Sequence, residues 1–248
     1  MTDERIELNI PLTRLSNIIS EIGVDRHQFH DHFEVVNSAT AYPVIYRGEE
    51  DVRKKMTVKP NAYATGKTER AEEVFRKYAS RLLVPDRIRW DTAHVISLYS
   101  EVPVLANMFY AVKLKVCEDI REYVEKALAL WFNTSWGILI ALFSREETEG
   151  SWSEIKMAQW RVMYVLDITK LDDSTLRILS AIFDKYSDKL LGRIPEQFNP
   201  QNPSSVRLGI DTEFLKALKP EEDEERIKMS LKELYRHINT ALALWIKG

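Results

Sequence analysis

The chain has 248 residues, of which 45% are hydrophobic and 29% charged, enough to bury a sizeable core and unlike a fibrous, collagen-like or disordered chain. Its 35 Lys and Arg against 38 Asp and Glu give a formal net charge of −3, which excludes a protein that coats nucleic acid by bulk charge. The charge is uneven: residues 47–89 hold 12 basic against 7 acidic side chains and the remainder 23 against 31, so a polyanion is favoured on one side only.

Cys117 has no second cysteine to pair with, and the start Met1-Thr2-Asp3-Glu4-Arg5 lacks the apolar run of a signal peptide. Both features fit a reducing, cytoplasmic compartment. Residues 127–143 form the longest apolar stretch, but Asn133-Thr134-Ser135 and Gly137 interrupt it. At 17 residues it is shorter than the roughly 20 that a membrane-spanning helix needs. It reads as buried core, and no membrane partner is expected.

In chain order, Leu12, Leu15, Ile18, Ile19 and Ile22 have the 3/4 spacing of an amphipathic helix stopped by Gly23. Residues 41–46 read as a short strand before the Arg47-Gly48 turn, and Lys59-Pro60-Asn61 marks a second loop. Ala71, Val74, Phe75, Tyr78 and Leu82 predict a helix over 69–83. Residues 82–84, 93–99 and 108–114 are β-rich and predict a small antiparallel sheet, with a joint near Pro103. A buried helix is expected over 119–145 and another over 174–191. The Asn, Pro and Ser of 198–205 mark a linker, followed by a short helix over 212–218. The acidic run 221–225 opens a last helix with a stripe from Ile227 to Trp245.

Residues 80–89, Ser-Arg-Leu-Leu-Val-Pro-Asp-Arg-Ile-Arg, followed by Pro103-Val104-Leu105-Ala106-Asn107-Met108, carry a resemblance, and residues 125–135, ending in Asn133-Thr134-Ser135, carry it further. The charged turn of 145–150 before Lys156 completes the pattern. Together these segments resemble the region after the catalytic domain in N-6 adenine-specific DNA methylases of restriction–modification systems. Similar features extend from Ile22-Gly23 through Tyr42-Pro43 and Pro60-Asn61 to Ile210-Asp211. The resemblance implies a target-recognition role, reading bases while a separate catalytic domain flips and methylates one of them.

The catalytic half is missing from the sequence. No two glycines are separated by one residue and no Pro-Pro pair occurs, so neither the glycine-rich donor turn nor the base-holding Asn/Asp-Pro-Pro loop of such an enzyme is here. Gly66-Lys67-Thr68 lacks the earlier glycine of a phosphate-binding loop, and no serine sits in a Gly-x-Ser-x-Gly elbow. No catalytic residue, metal or other cofactor is therefore expected. His27, His30 and His32 with Asp25 and Asp31 suggest a metal site superficially, but their spacing is not diagnostic.

Arg87 and Arg89 share one face of a predicted strand and fit base-edge readout, although a solvated strand face has the same pattern. Arg53, Lys54, Lys55 and Lys59 fit phosphate contacts. Arg145, Thr148 and Lys156 fall on the loop after the long helix. Of Trp131, Trp136, Trp152, Trp160 and Trp245, only Trp152, beside Gly150, has the setting of a stacking platform. Asn133 and Thr134 suit hydrogen bonding within the core better than DNA contact.

The expected fold is α+β: a small mixed or antiparallel sheet over 42–114, a buried central helix and a helical C-terminal third. Residues 1–170 would form the recognition-like domain, with 171–248 packed on it or separate. The expected function is sequence-selective binding of duplex DNA beside a separate methyltransferase catalytic subunit or domain, without methyl transfer of its own. Two alternatives stay open: an interaction or structural protein that keeps the fold without DNA binding, and a metal enzyme built on the histidine cluster.

Overall fold

The computed structural model describes residues 9–46, 50–144, 146–147 and 151–246. The N-terminal part runs β1 (Leu12–Arg14), a single turn α1 (Leu15–Ile18), β2 (Ile19–Gly23), α2 (Arg26–His32), β3 (Phe33–Val36) and β4 (Tyr42–Ile45). A 3-10 turn at Glu50–Arg53 leads to β5 (Thr57–Val58), β6 (Ala62–Gly66), α3 (Ala71–Tyr78), β7 (Ser80–Pro85), β8 (Arg87–Arg89), β9 (Leu98–Ala106) and β10 (Phe109–Leu114). Then follow α4 (Glu118–Phe132), α5 (Ser135–Ser144), β11 (Glu146–Glu147), β12 (Trp152–Glu154), α6 (Met157–Val162) and β13 (Tyr164–Leu166). The last third is helical: α7 (Asp173–Tyr186), α8 (Ile194–Gln197), α9 (Ser205–Leu218) and α10 (Glu224–Ile246).

The α+β expectation holds. Eight strands form one mixed sheet in the order β2-β10-β7-β9-β4-β6-β3, with β5 also paired to β9. Its pairs are antiparallel except β4 and β5 against β9. The sheet therefore extends beyond 42–114 to take in β2 and β3. Helix α4 lies against β7 and β9 on one side and α7 on the other, and α9 links α7 to α10. One apolar core runs from Leu15 to Leu242, and a smaller one gathers Phe29, Phe33, Val44, Ala64 and Leu105 beneath α2 and α3.

Several expected elements differ. The helix over 12–22 is instead β1, one helical turn and β2, because a short run rich in isoleucine satisfies strand and helix spacing alike and β10 offers β2 a ladder. The strand over 93–99 begins only at Leu98 and continues through Pro103 to Ala106, with no joint there. Asn133 takes up the backbone just before it: its Oδ1 accepts from the Ile96 amide and its Nδ2 donates to the Ser97 carbonyl, both at 2.9 Å. A side chain thus replaces a partner strand. The long helix over 119–145 is two helices, α4 and α5, bent by 69° at Asn133-Thr134. No single helix among the described residues is long and apolar enough to cross a membrane.

The bend is held by a sealed polar network, the core role expected of Asn133 and Thr134. Thr134 Oγ1 donates to the Trp131 carbonyl at 2.7 Å, and Asn133 Nδ2 also donates to the Ala129 carbonyl at 2.9 Å. Below them, buried Arg207 donates to the Asn133 carbonyl and, from Nη2 at 2.7 Å, to Gln197 Oε1. Asp211, one turn further along α9, accepts from the Ser135 amide at 2.9 Å, the Ser135 hydroxyl, and the Tyr235 hydroxyl at 2.6 Å. These contacts draw the expected linker inward as well: Phe198 is fully buried, and Ser204 caps α9, which starts at Ser205 rather than near 212.

Gly137 lets α5 approach the end of α4. A β-carbon there would lie 2.3 Å from the Trp131 carbonyl oxygen and 2.7 Å from the Phe132 backbone, so rigid main chain would have to move. The Gly137→Ala variant is expected to lose about 1–3 kcal/mol through overpacking, read as a lower urea midpoint with an unchanged slope. A midpoint equal to wild type would show that the two helices separate freely.

Candidate nucleic-acid interface

The site is built on a three-stranded sheet in which β12 lies between β11 and β8. Strands β8 and β12 are antiparallel, with Arg89 opposite Trp152, Ile88 opposite Ser153 and Arg87 opposite Glu154. Alternation sorts the faces: Ile88 and Ser153 are buried, while Arg87, Arg89 and Trp152 stand outward. Trp90, buried at the end of β8, donates from Nε1 to Ser153 Oγ at 2.8 Å and ties the two strands together.

Trp152 is 38% exposed. The guanidinium carbons of Arg89 and Arg53 lie 5.7 and 5.9 Å from its ring centroid, so residues 99 positions apart in sequence share one aromatic platform. Cation–π contact of this kind is worth about 0.5–1 kcal/mol at exposed sites and orients the ring. The cations around it have acidic partners. Arg87 pairs with Glu154 at 3.8 Å, Arg89 with Asp91 at 2.8 Å and Lys156 with Glu146 at 2.7 Å. Burial alone would raise the Asp91 carboxyl, but hydrogen bonds from Ser151 and Arg89 hold it below its usual range.

Behind the platform lies a buried polar layer. Desolvation lowers the Arg53 guanidinium and pushes Asp86 up to about 6, although Arg87 and Arg53 pull that carboxyl the other way. His94 is fully buried and pushed down to about 3 by burial and by the Arg53 charge. Its Nδ1 donates to the Val95 carbonyl at 2.9 Å, while Nε2 is sealed without a hydrogen-bond partner among the described residues. Asp86 and His94 were not among the sequence candidates; neither stands in a recognisable motif, and only the fold brings them beside Arg53.

Arg53, Arg87, Arg89 and Trp152 thus come together, with Lys156 one strand end away as the N-terminal cap of α6. Lys54 and Lys55 are half-buried and follow Arg53 directly; Lys59 is exposed and lies past β5. Arg145 and Thr148 lie outside the described residues, as does the Trp245 side chain. Trp131 and Trp160 are core residues, and Trp136 packs on Phe214. In the histidine cluster, Asp25 caps α2, His32 is hydrogen-bonded to Thr68 at 2.9 Å, and His30 packs against Phe29 and Tyr46. Among the described residues no three His, Cys, Asp or Glu side chains are grouped to hold a metal ion.

No protein-family model matches the chain, and no curated protein matches it. Among solved structures the chain is similar to the type IIG restriction endonuclease BpuSI, at 12% identity and a TM-score of 0.46. The match covers 68% of this chain and 17% of that one, so it corresponds to about a sixth of the neighbour's length.

Proposed function

We propose that the chain binds duplex DNA sequence-selectively, as the target-recognition part of an adenine-specific methyltransferase or restriction–modification system whose catalytic subunit or domain is separate. One observation carries the reading: an exposed tryptophan flanked by two arginines, on a strand pair that also presents Arg87. The segment that supplies Arg87 and Arg89 is the same one that carries the sequence resemblance. Arginine reads guanine edges bidentately, and an aromatic face stacks on an unpaired or extruded base. Lys54, Lys55, Lys59 and Lys156 supply phosphate contacts in this reading, and Arg145 and Thr148 join it on sequence adjacency to β11 alone. The acidic partners do not forbid it, because exposed ion pairs are worth only about 0–1 kcal/mol and a phosphate can displace a carboxylate.

The test is selection from a random duplex library followed by affinity measurements at several salt concentrations. Trp152→Ala is expected to weaken binding by about 1–3 kcal/mol. Arg89→Ala should relax preference at one base position, and Lys156→Gln should reduce the salt slope by about one without altering the preferred sequence. Absence of binding at low salt would overturn the proposal. The pairing of Arg87, Arg89 and Lys156 with carboxylates favours a second reading, an interaction surface without DNA binding. In that case Glu146→Gln and Glu154→Gln would leave DNA retention at background, whereas under the first reading they raise affinity.

A further inference from the structure

One carboxyl group stands where the large sheet meets the small one that carries Trp152. Asp86 lies at the corner between β7 and β8. Its amide donates to the Met108 carbonyl at 3.3 Å, just before β10, and its carbonyl accepts from the Ile155 amide at 2.9 Å, just after β12, so both sheets fix its backbone. The residue is half-buried, and its Oδ1 is sealed without a hydrogen-bond partner among the described residues. Arg53 is placed in the same way from the other side. It is half-buried, its Nε is sealed without a partner among the described residues, and its guanidinium lies over the Trp152 ring. Its carbonyl accepts from the Val95 amide at 2.9 Å, so its main chain is held as well. The charge of each of these two groups is felt by the other, through surroundings that screen it far less than water does.

We propose that Asp86 is a proton-operated control on the charge that Arg53 and Arg87 present at the Trp152 platform. Protonated, Asp86 leaves both arginine charges to a phosphate at the surface; ionised, it offsets them. The control acts through the electrostatic field and needs no contact between the ligand and Asp86 itself. Its consequence for DNA rests on the DNA-binding reading of the platform, whereas the change in charge at Trp152 does not.

Burial holds the Asp86 carboxyl at about 6, against the pull of Arg87 and Arg53, so its charge changes across roughly pH 5 to 7. The charged or titratable groups around it are Arg87 on β8, Arg53 at the end of the 3-10 turn, Glu154 on β12 and Tyr110 on β10, with Asp25 at the cap of α2, His94 beside Arg53, and Asp91 beside Arg89 further out. Burial pushes Tyr110 up to about 12 and His94 down to about 3. Hydrogen bonds from Ser151 and Arg89 hold Asp91 below its usual range, although burial alone would raise it. Those three keep their charge state while Asp86 titrates. A phosphate bound at the platform adds negative charge near Asp86 and favours its neutral form. By linkage, polyanion affinity is highest below the Asp86 transition and falls as pH rises through it. One charge acting over a short range at low salt sets the size of the effect at about threefold to tenfold.

Two measurements on the full chain test the proposal. The first is fluorescence anisotropy of a labelled random-sequence duplex, followed from acid to neutral pH at one low salt concentration. Wild-type affinity is expected to fall with a midpoint of about 6, whereas Asp86→Asn, which has the shape of the protonated acid, should hold the low-pH affinity throughout. Glu154→Gln should keep the step and move its midpoint down, because the Glu154 charge raises the Asp86 carboxyl. Parallel profiles for wild type and Asp86→Asn would overturn the proposal. The second measurement needs no DNA: the indole N–H resonance of Trp152, assigned by its loss in Trp152→Phe, should shift across the same pH range in wild type and stay fixed in Asp86→Asn. If no duplex is retained at any pH, the DNA-binding reading fails and this resonance alone decides the charge control. A shift that Asp86→Asn removes upholds it; a resonance that stays fixed in wild type, or moves alike in both proteins, overturns it.

Discussion

Replacing Asp211 by alanine is expected to destabilise the fold by about 3–5 kcal/mol, because it removes one member of a buried charged pair and leaves the other behind. Arg207 Nη1 lies 3.8 Å from Asp211 Oδ1, and both side chains are essentially inaccessible. Burial raises the Asp211 carboxyl while Arg207, Ser135 and Tyr235 pull it down. The alanine would also strand the Ser135 amide at the first turn of α5 and the Tyr235 hydroxyl of α10. Three helices meet at this carboxylate, so the loss should appear as a lower urea midpoint for the whole chain, not as fraying of α10 alone. Since domains are commonly stable by only about 5–15 kcal/mol, a loss of this size leaves little reserve. Asp211→Asn keeps an acceptor of similar size and should lose less than half as much. A midpoint for Asp211→Ala within about 1 kcal/mol of wild type would show that water or rearranged side chains fill the site.

Residues that act over short sequence distances were legible in the sequence. The β8 face with Arg87 and Arg89, the core placement of Asn133-Thr134 and the open setting of Trp152 all follow from periodicity or composition. What was not legible depends on partners far along the chain. The isoleucines of residues 12–22 suit helix and strand equally, and β10, more than 80 residues later, decides the matter. Residues 93–97 look like a strand because Val95 and Ile96 are apolar, yet the side chain of Asn133 takes the Ile96 amide and the Ser97 carbonyl, and the Val95 amide donates to the Arg53 carbonyl. Arg53 has the sequence signature of a phosphate-binding loop residue, but the structure half-buries it between Trp152, Asp86 and His94. Glu125 sits in an Ala- and Leu-rich helix with no motif around it; its sealed Oε2 emerges only once β7 brings Arg81 alongside.

Between pH 7 and 4.5 a His94→Gln variant should become more stable relative to wild type by about 2–3 kcal/mol. His94 is neutral in the fold, with its pKa pushed down to about 3 from an ordinary 6.5. In the unfolded chain it takes up a proton as pH falls below 6.5, so its contribution to stability is fully present above that value and is lost as pH falls toward 3. Asp86 and Glu125 act with the opposite sign. Their folded pKa values are raised to about 6 and about 7, so their contribution is fully present at low pH and is lost as pH rises through those values. Across this window the histidine therefore opposes the two carboxyls, and the wild-type stability profile should be flatter than that of the variant. Glutamine removes the titration of His94, and the remaining carboxylates contribute equally to both proteins and cancel in the difference. Urea midpoints measured every half pH unit read the effect directly. Parallel profiles for the two proteins would mean that His94 reaches water or a hydrogen-bond partner in solution, and the buried polar layer behind Trp152 would then be more open than its packing implies.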